Sequence, residues 1–354
     1  MATLTEVSTL SRKVIKFGTA GLVFLMILPV LTRLGKAIYY KYNPPPVPPP
    51  TVTYGKIPPV VFPKLEGAKR PEILLETISG GLPKFQDRAN VYPVEINKSR
   101  LLTLERYRQK AKALEINNEP VQIDDRTYRF IHPTLPVMFE VDLITNVVTY
   151  KYDWTTDINL LKKGIIPQGN EAISEARAFF SRIGLLTDDL ITGTAKYKYL
   201  TATGSALIPA AEVVEANFVR VDLFRADKDK MRVVTAGGET SPVNVLISSG
   251  VYGGNNNRIV QASYQYSKLV DSANVATYPL KSIDAAWKEL TSGGGFIVKS
   301  VLPKEYVRKI TLAYYESNEP QIFMQPVYVF EGDAGFTAYV SAIDPNTLIE
   351  VAPQ

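Results

Sequence analysis

Residues 137–152 read VMFEVDLITNVVTYKY, and the fold class follows from them. Val137, Phe139, Val141 and Leu143 alternate with Met138, Glu140 and Asp142, so the first set shares one face of a strand and the second set shares the other. Thr145-Asn146 supplies the turn, because asparagine tolerates the left-handed conformation. Val147–Tyr152 then returns as a second strand. A half-wet antiparallel hairpin needs a cover for its apolar face. Upstream, the stretch Leu101–Leu114 carries Leu104, Tyr107, Ala111 and Leu114 at helical spacing. With a strand at Thr127–Ile131, this makes one helix followed by an antiparallel sheet.

The same order recurs twice. A helix over Glu171–Ile183 lines up Ala172, Ala176, Phe179, Phe180 and Ile183, and Gly184 stops it. Strands are predicted at Ala195–Thr201 and Val214–Phe224, with a charged turn from Arg225 and a further strand starting at Met231. Val243–Ser248 and Arg258–Tyr266 read as a hairpin around Gly253-Gly254-Asn255-Asn256-Asn257. The third helix has Ser282 as N-cap, Asp284 in its first turn, an apolar face of Ile283, Ala286, Trp287 and Leu290, and Gly293–Gly295 at its end. Strands follow at Val307–Tyr315, Phe323–Phe330 and Phe336–Ile343. The predicted fold class is α+β, with repeated helix-on-antiparallel-sheet units behind an N-terminal transmembrane helix. The expected domains are a tail and anchor (1–43), a proline-rich spacer (44–70), a first unit (71–165), a second with inserted strands (166–275) and a third (276–354).

Helix, strand, then Val-x-x-Asp, turn and Val resembles the PepSY-type module. The third copy, with Ala285-Ala286-Trp287 and Gln325-Pro326-Val327-Tyr328-Val329, is similar to the exported body of the YycH/YycI regulators. The resemblance implies a single-pass membrane protein that modulates a sensor kinase. This chain departs from the module at Asn146, where the module has Gly after Thr, and its middle copy is interrupted by inserted strands.

The N-terminal segment is read independently of that likeness. Arg12, Lys13 and Lys16 precede uncharged Phe17–Thr32; Arg33, Lys36 and Lys41 follow, and six of the seven residues Pro44–Pro50 are proline. Flanking Val14, Ile15, Leu34, Ala37 and Ile38 lengthen the apolar core toward the ~20 residues a span needs. Tyr39, Tyr40 and Tyr42 are placed as an interfacial belt. Residues 14–42 are therefore expected to contact membrane lipid. A cleaved signal would need a better small-x-small site than Gly35-Lys36-Ala37, and an interfacial helix would need a polar face through Leu22–Val30. Basic residues flank the span on both sides, so charge alone does not orient it. A short N-terminal tail favours an exported body: cell membrane, single-pass, with the large C-terminal part extracytoplasmic. The prolines favour an extended spacer of roughly 20 Å.

Charge excludes nucleic acid. Of 40 basic and 35 acidic residues, six and one fall within residues 1–50, which leaves 34 of each in the body. A nucleic-acid binder needs a basic face on its folded part. The chain has no cysteine, so disulfides, thiolate metal sites and a cysteine nucleophile are excluded.

Residues with chemical potential are sparse. His132 is the only histidine; it sits at a strand end with no Gly-x-Ser-x-Gly elbow and reads as a hydrogen-bonded structural group. Asp124-Asp125 and Asp188-Asp189 are adjacent pairs, poorly placed for joint acid/base work, and Asp188-Asp189 reads as a loop. Asp227-Lys228-Asp229 starts like a calcium loop, but Met231 holds the next ligand position; it reads as a solvated turn. Gly237-Gly238, Gly253-Gly254 and Gly293–Gly295 lack phosphate-loop spacing. No catalytic, metal or cofactor-binding residues are assigned, and no cofactor is expected. Tyr150/Tyr152, Tyr197/Tyr199 and Tyr264/Tyr266 each share a strand face; sheet packing and a binding surface are the two readings.

The expected function is a membrane-anchored extracytoplasmic interaction or regulatory protein without catalytic activity, with a protein partner in the envelope. The alternative is a scaffold subunit of an envelope complex, such as a secretion or surface-appendage assembly, which predicts a large homo-oligomer. An envelope hydrolase, the third class, predicts an activity lost with His132→Ala.

Overall fold

A computed structural model describes residues 4–42, 48–63, 70–95, 100–157, 160–161, 164–253, 257–270 and 275–350. The chain divides into two compact units, Met1–Pro49 and Pro50–Gln354.

The first unit is one helix, α1 (Leu4–Tyr42). Its segment Lys16–Tyr40, 25 residues, is long and apolar enough to cross a membrane. At 1.5 Å per residue it reaches about 38 Å, against a hydrocarbon core of about 30 Å. Phe24, Leu25, Met26, Val30 and Ile38 are all exposed, as lipid-facing side chains would be. Residues Pro44–Val47 of the proline run lie outside the described residues.

The second unit contains β1 (Glu72–Leu75), β2 (Arg88–Pro93), α2 (Arg100–Lys112), β3 (Val121–Gln122), β4 (Thr127–Ile131), β5 (Val137–Asp142) and β6 (Val148–Tyr152). Then come α3 (Gly169–Arg182), α4 (Asp188–Thr192), β7 (Ala195–Thr203), β8 (Ala206–Pro209), β9 (Phe218–Leu223), β10 (Val233–Thr235), β11 (Val243–Tyr252) and β12 (Asn257–Tyr264). The C-terminal part holds β13 (Ala276–Pro279), α5 (Ile283–Thr291), β14 (Phe296–Lys299), β15 (Lys304–Glu316), β16 (Phe323–Gly332) and β17 (Thr337–Ser341).

These strands form two sheets. The central sheet has nine strands in the order β3-β4-β5-β6-β12-β11-β9-β7-β8. The terminal sheet has eight, with the path β1-β15-β16-β17-β14; β10 joins β15, and β2 bridges β13 and β16. Three serial helix-on-sheet units are not what forms. The strands expected in the first and second units merge, because β6 pairs antiparallel with β12 from Lys151↔Gln261 to Val148↔Tyr264. An alternating strand left at a sheet edge has a full row of free amides and carbonyls, and β12 takes that row. Residues 121–264 thus supply every strand of the central sheet, and the terminal one is built from residues 72–93 and 276–341 with β10 contributed from between β9 and β11.

The helix positions follow the apolar spacing. The Tyr107 ring of α2 lies 6.3 Å from Phe139, and α3 sets Phe179 5.3 Å from Tyr150 and Phe180 5.6 Å from Tyr264. Each buried aromatic contributes roughly 1.5–3 kcal/mol by area. Gly184 ends α3 with φ 61°, and Lys110 of α2 donates to the carbonyls of Ile183 and Gly184, both at 2.8 Å. One helix thereby satisfies the open carbonyl end of the next. Over the terminal sheet, α5 begins with Ser282 Oγ accepting from the Ala285 amide and packs Trp287 on Phe330.

Several sequence expectations change. The body begins at Pro50, before the predicted start at residue 71: Ile57 is fully buried, and Phe62 stacks on Phe296. Apolar residues interleaved with the prolines dock that part of the spacer. The strand expected over Val214–Phe224 starts at Phe218, after a short turn at Val213–Glu215. β7 folds back into β8 around Gly204, whose φ of 63° suits a glycine. β1, β13 and β14 are too short to carry a clear period, and β2 breaks its alternation where Val91 and Tyr92 are both buried.

Candidate functional site

The connection leaving β9 is the most chemically dense part of the body. Lys228 and Met231 exchange backbone hydrogen bonds at 2.9 and 2.8 Å. Asp229 and Lys230 between them have φ of 51° and 62°, the pattern of a tight hairpin turn with both central residues left-handed. Lysine is a poor choice there, and the arrangement is held from outside. The Asp229 carboxylate accepts from the phenols of Tyr92 (2.7 Å) and Tyr314 (2.8 Å) and from the Asn90 amide (2.9 Å). Burial works to raise the Asp229 pKa, but these donors outweigh it and the net shift is downward. Burial and the Asp229 carboxylate push the Tyr92 phenol up to about 12. The expected solvated turn is therefore pinned by one carboxylate to β2 and β15 of the terminal sheet.

The base of the same connection is also clamped. Arg225 is buried, with its side chain 3% exposed. Its Nη2 donates to the Ser267 carbonyl at 2.6 Å and lies 3.3 Å from Glu316 at the end of β15, while Nε lies 3.3 Å from Asp189. Asp189 in turn accepts from Thr187 and Tyr266 at 2.6 and 2.9 Å. Asp188-Asp189, expected in a loop, open the short helix α4. A cleft of about 630 Å³ runs beside this network, between Thr187, Asp188, Arg225, Lys228, Tyr266 and Lys268. The acidic and basic groups largely compensate one another. The network joins β9, α4 and the segment after β12 to the end of β15, so its direct effect is to hold the two sheets together.

The second candidate region is the face of the central sheet opposite α2 and α3. Cross-strand register sets Ile131, Met138, Lys151, Gln261, Leu246, Arg220 and Lys198 in one row, strand by strand. A groove of about 780 Å³ opens on this face, bounded by Arg129, Ile131, Lys151, Trp154 and Leu207. Arg129 pairs with Glu140 at 2.7 Å and Arg220 with Asp222 at 2.9 Å. This is a polar surface with a basic bias, which the balanced overall charge of the body concealed.

The remaining sequence candidates serve turns. His132 Nδ1 accepts from the amides of Thr134 and Leu135 at 3.2 and 3.0 Å, so the nitrogen whose N–H a triad aspartate would accept is serving its own turn. Asp124 accepts from the amides of Arg126 and Thr127 at 2.9 and 2.8 Å, and these bonds lower its pKa. Asn146 takes φ 58°, as its turn requires. Gly237, Gly238 and Gly253 lie in turns, and Gly254 lies outside the described residues. Gly294 and Gly295 offer their carbonyls to Arg70 at 2.7 and 2.8 Å. Among the described residues, no group of three or more His, Asp or Glu is gathered as a metal cluster. Of the tyrosine pairs, Tyr150, Tyr152 and Tyr264 are buried, so packing explains them; Tyr197 is 48% exposed.

No protein-family model matches this chain, and no curated protein matches it in sequence. Among solved structures, an uncharacterized protein from Eubacterium rectale ATCC 33656 is similar over 77% of this chain and 88% of that one, at 10% identity and a TM-score of 0.42. The Bacillus megaterium YpeB C-terminal domain is a more distant structural neighbour, over 69% of this chain and 93% of that domain, at 12% identity and a TM-score of 0.28.

Proposed function

We propose that this chain is a single-pass membrane-anchored interaction protein. Its body lies outside the cytoplasm, binds a protein partner of the envelope and regulates it without catalysing a reaction. The observation that carries the reading is α1: a 25-residue apolar stretch, Lys16–Tyr40, whose described side chains are exposed, joined to a body with its own cores. An exposed apolar helix of that length is accounted for by lipid. The body supports an interaction role through open strand edges and a polar sheet face, both suited to meeting another polypeptide.

The test combines fractionation, topology and cross-linking of the full chain in cells. The chain is expected to stay in the membrane pellet through alkaline extraction. Protease added outside the cytoplasmic membrane is expected to digest the body. Cross-linking is expected to trap a discrete hetero-complex. A chain released to the aqueous phase, a body protected from outside protease, or a large homo-oligomer as the only cross-linked species would overturn the reading.

A further inference from the structure

The longest strand near the rim of the central sheet is covered along only part of its length. On one side β7 pairs with β9 from Ala195↔Leu223 to Leu200↔Phe218. On the other, β8 begins only at Leu200↔Pro209 and runs to Thr203↔Ala206. Among the described residues, no strand pairs with Ala195–Lys198 on that outer side, and at Tyr199 only the carbonyl is taken, by the Ala210 amide.

Hydrogen-bond alternation fixes which groups are bare. The Phe224 amide donates to the Thr194 carbonyl on the β9 side, and the Ala210 amide donates to the Tyr199 carbonyl on the β8 side. In an antiparallel ladder the residues alternate between neighbours. Even-numbered residues of this stretch thus bond to β9, while Ala195 and Tyr197 turn both N–H and C=O outward. Tyr199 adds an outward amide.

Side chains on the bare half are just as ordered. Lys196 and Lys198 are exposed and sit on the same face as their cross-strand partners Asp222 and Arg220. Arg220 pairs with Asp222 at 2.9 Å, Lys196 Nζ lies 5.5 Å from the Phe224 ring, and among the described residues neither lysine forms an ion pair within 4 Å. On the opposite face the Tyr197 ring is 48% exposed and meets Tyr199 edge-on at 5.7 Å.

We propose that this bare half of β7, Ala195–Tyr199, receives an extended segment of a partner protein as an added strand, one that alternates carboxylates toward Lys196 and Lys198 with apolar or aromatic side chains toward Tyr197. The proposal rests on the interaction-protein reading and names its contact. Backbone amides and carbonyls supply the register, and the alternating faces supply the choice of partner. Edge lysines ordinarily deter pairing. Here they deter the commonest wrong partner: a second copy centred on Tyr197 would set Lys196 against Lys198, like charges directly opposite. An acidic strand turns the same two residues into attraction, so deterrent and selector are one feature.

The test is a titration of the full chain in detergent micelles with a short, capped, fluorescent peptide alternating Glu and Val. Binding is expected, with slowed hydrogen exchange at the Ala195 and Tyr197 amides. The Lys196→Glu/Lys198→Glu double variant, altered only at exposed positions, is expected to bind it about tenfold more weakly, since two cross-strand charge pairs change sign. That variant should instead take a Lys–Val peptide, whose capture also shows that it is folded. A Glu–Val peptide N-methylated at its valines, whose amides face Ala195 and Tyr197, should not bind the native chain. Undiminished binding by the double variant, binding without slowed exchange in β7, or no binding at all would overturn the assignment. A chain that stays in the membrane and cross-links to a partner while failing this titration loses only the edge assignment. A chain found in the aqueous fraction loses the anchored reading, and the titration still decides the edge.

Discussion

The guanidinium carbon of Arg225 lies over the Tyr266 ring, 4.0 Å from its centre. The ring covers a charge that also serves Asp189, Ser267 and Glu316. A weakly hydrated guanidinium suits such a buried site better than an ammonium does. Arg225→Ala is expected to cost about 3–5 kcal/mol, because it leaves Glu316 buried without its counter-charge. Arg225→Lys should recover only part of that. Chemical denaturation followed by circular dichroism checks both.

Glu316 adds a pH dependence. Burial raises its pKa above the ordinary 4.5, with Arg225 opposing in part. The unfolded chain therefore releases this proton at lower pH than the folded one. Its contribution to stability falls as pH rises from 4.5 toward the folded value. Glu316→Gln removes that slope, so the stability of the variant relative to the native chain is expected to improve as pH climbs through the window.

Asp229 acts in the opposite sense. Its folded pKa is lowered from 3.8, so its stabilisation is present above that value and is lost as pH falls through the folded one. Asp229→Asn turns an amide N–H₂ toward one of the two phenols that Asp229 accepts from. The expected cost is about 1 kcal/mol, because the carboxylate remains solvent-accessible. Above the carboxylate range the cost should be constant, and on acidification it should shrink. Denaturation midpoints of the two chains across an acid titration read this directly.

Tyr150 and Tyr252 test how a buried proton is shared. Tyr252 donates its single hydroxyl proton to the Ile259 carbonyl, so the 2.6 Å contact between the phenols must be donated by Tyr150. Tyr252→Phe removes a donor and an acceptor together and is expected to cost about 2–3 kcal/mol. Tyr150→Phe removes one donor and should cost about 1 kcal/mol. Equal losses would assign the protons the other way.

Lys110 and Gly184 are expected to be non-additive. Gly184→Ala forces a side chain into φ 61° and sets its Cβ 3.2 Å from Lys110 Nζ, for a cost of about 1–2 kcal/mol. Lys110→Met strands two carbonyls at about the same cost. Both act on one helix end, so the double variant should fall short of the sum.

Alternation at Val137–Asp142 and helical spacing at Ala172, Ala176 and Phe179 were readable because each reports one face of one element. The fusion of strands into the central sheet was not readable, since β6 and β12 carry no local mark of their pairing. The turn at Asp229 is exposed, as its charge suggests, but its anchoring was hidden for the same reason. Its partners Tyr92 and Tyr314 lie on strands far away in the chain. The lysines of β7 were visible as residues. The bare edge beside them depends on β8 ending at Pro209, which no local pattern in β7 reports.

The parallel pairing of Glu72–Leu75 with Lys304–Val307 dictates an order of assembly. Residues 121–264 carry every strand of the central sheet and can organise as soon as they emerge from the ribosome or from a translocation pore. β1 has to wait, extended and unmatched, until nearly the whole polypeptide has been delivered. A truncated or stalled chain is therefore left with apolar strands from its own beginning and no place to put them, which marks it for chaperones and proteases.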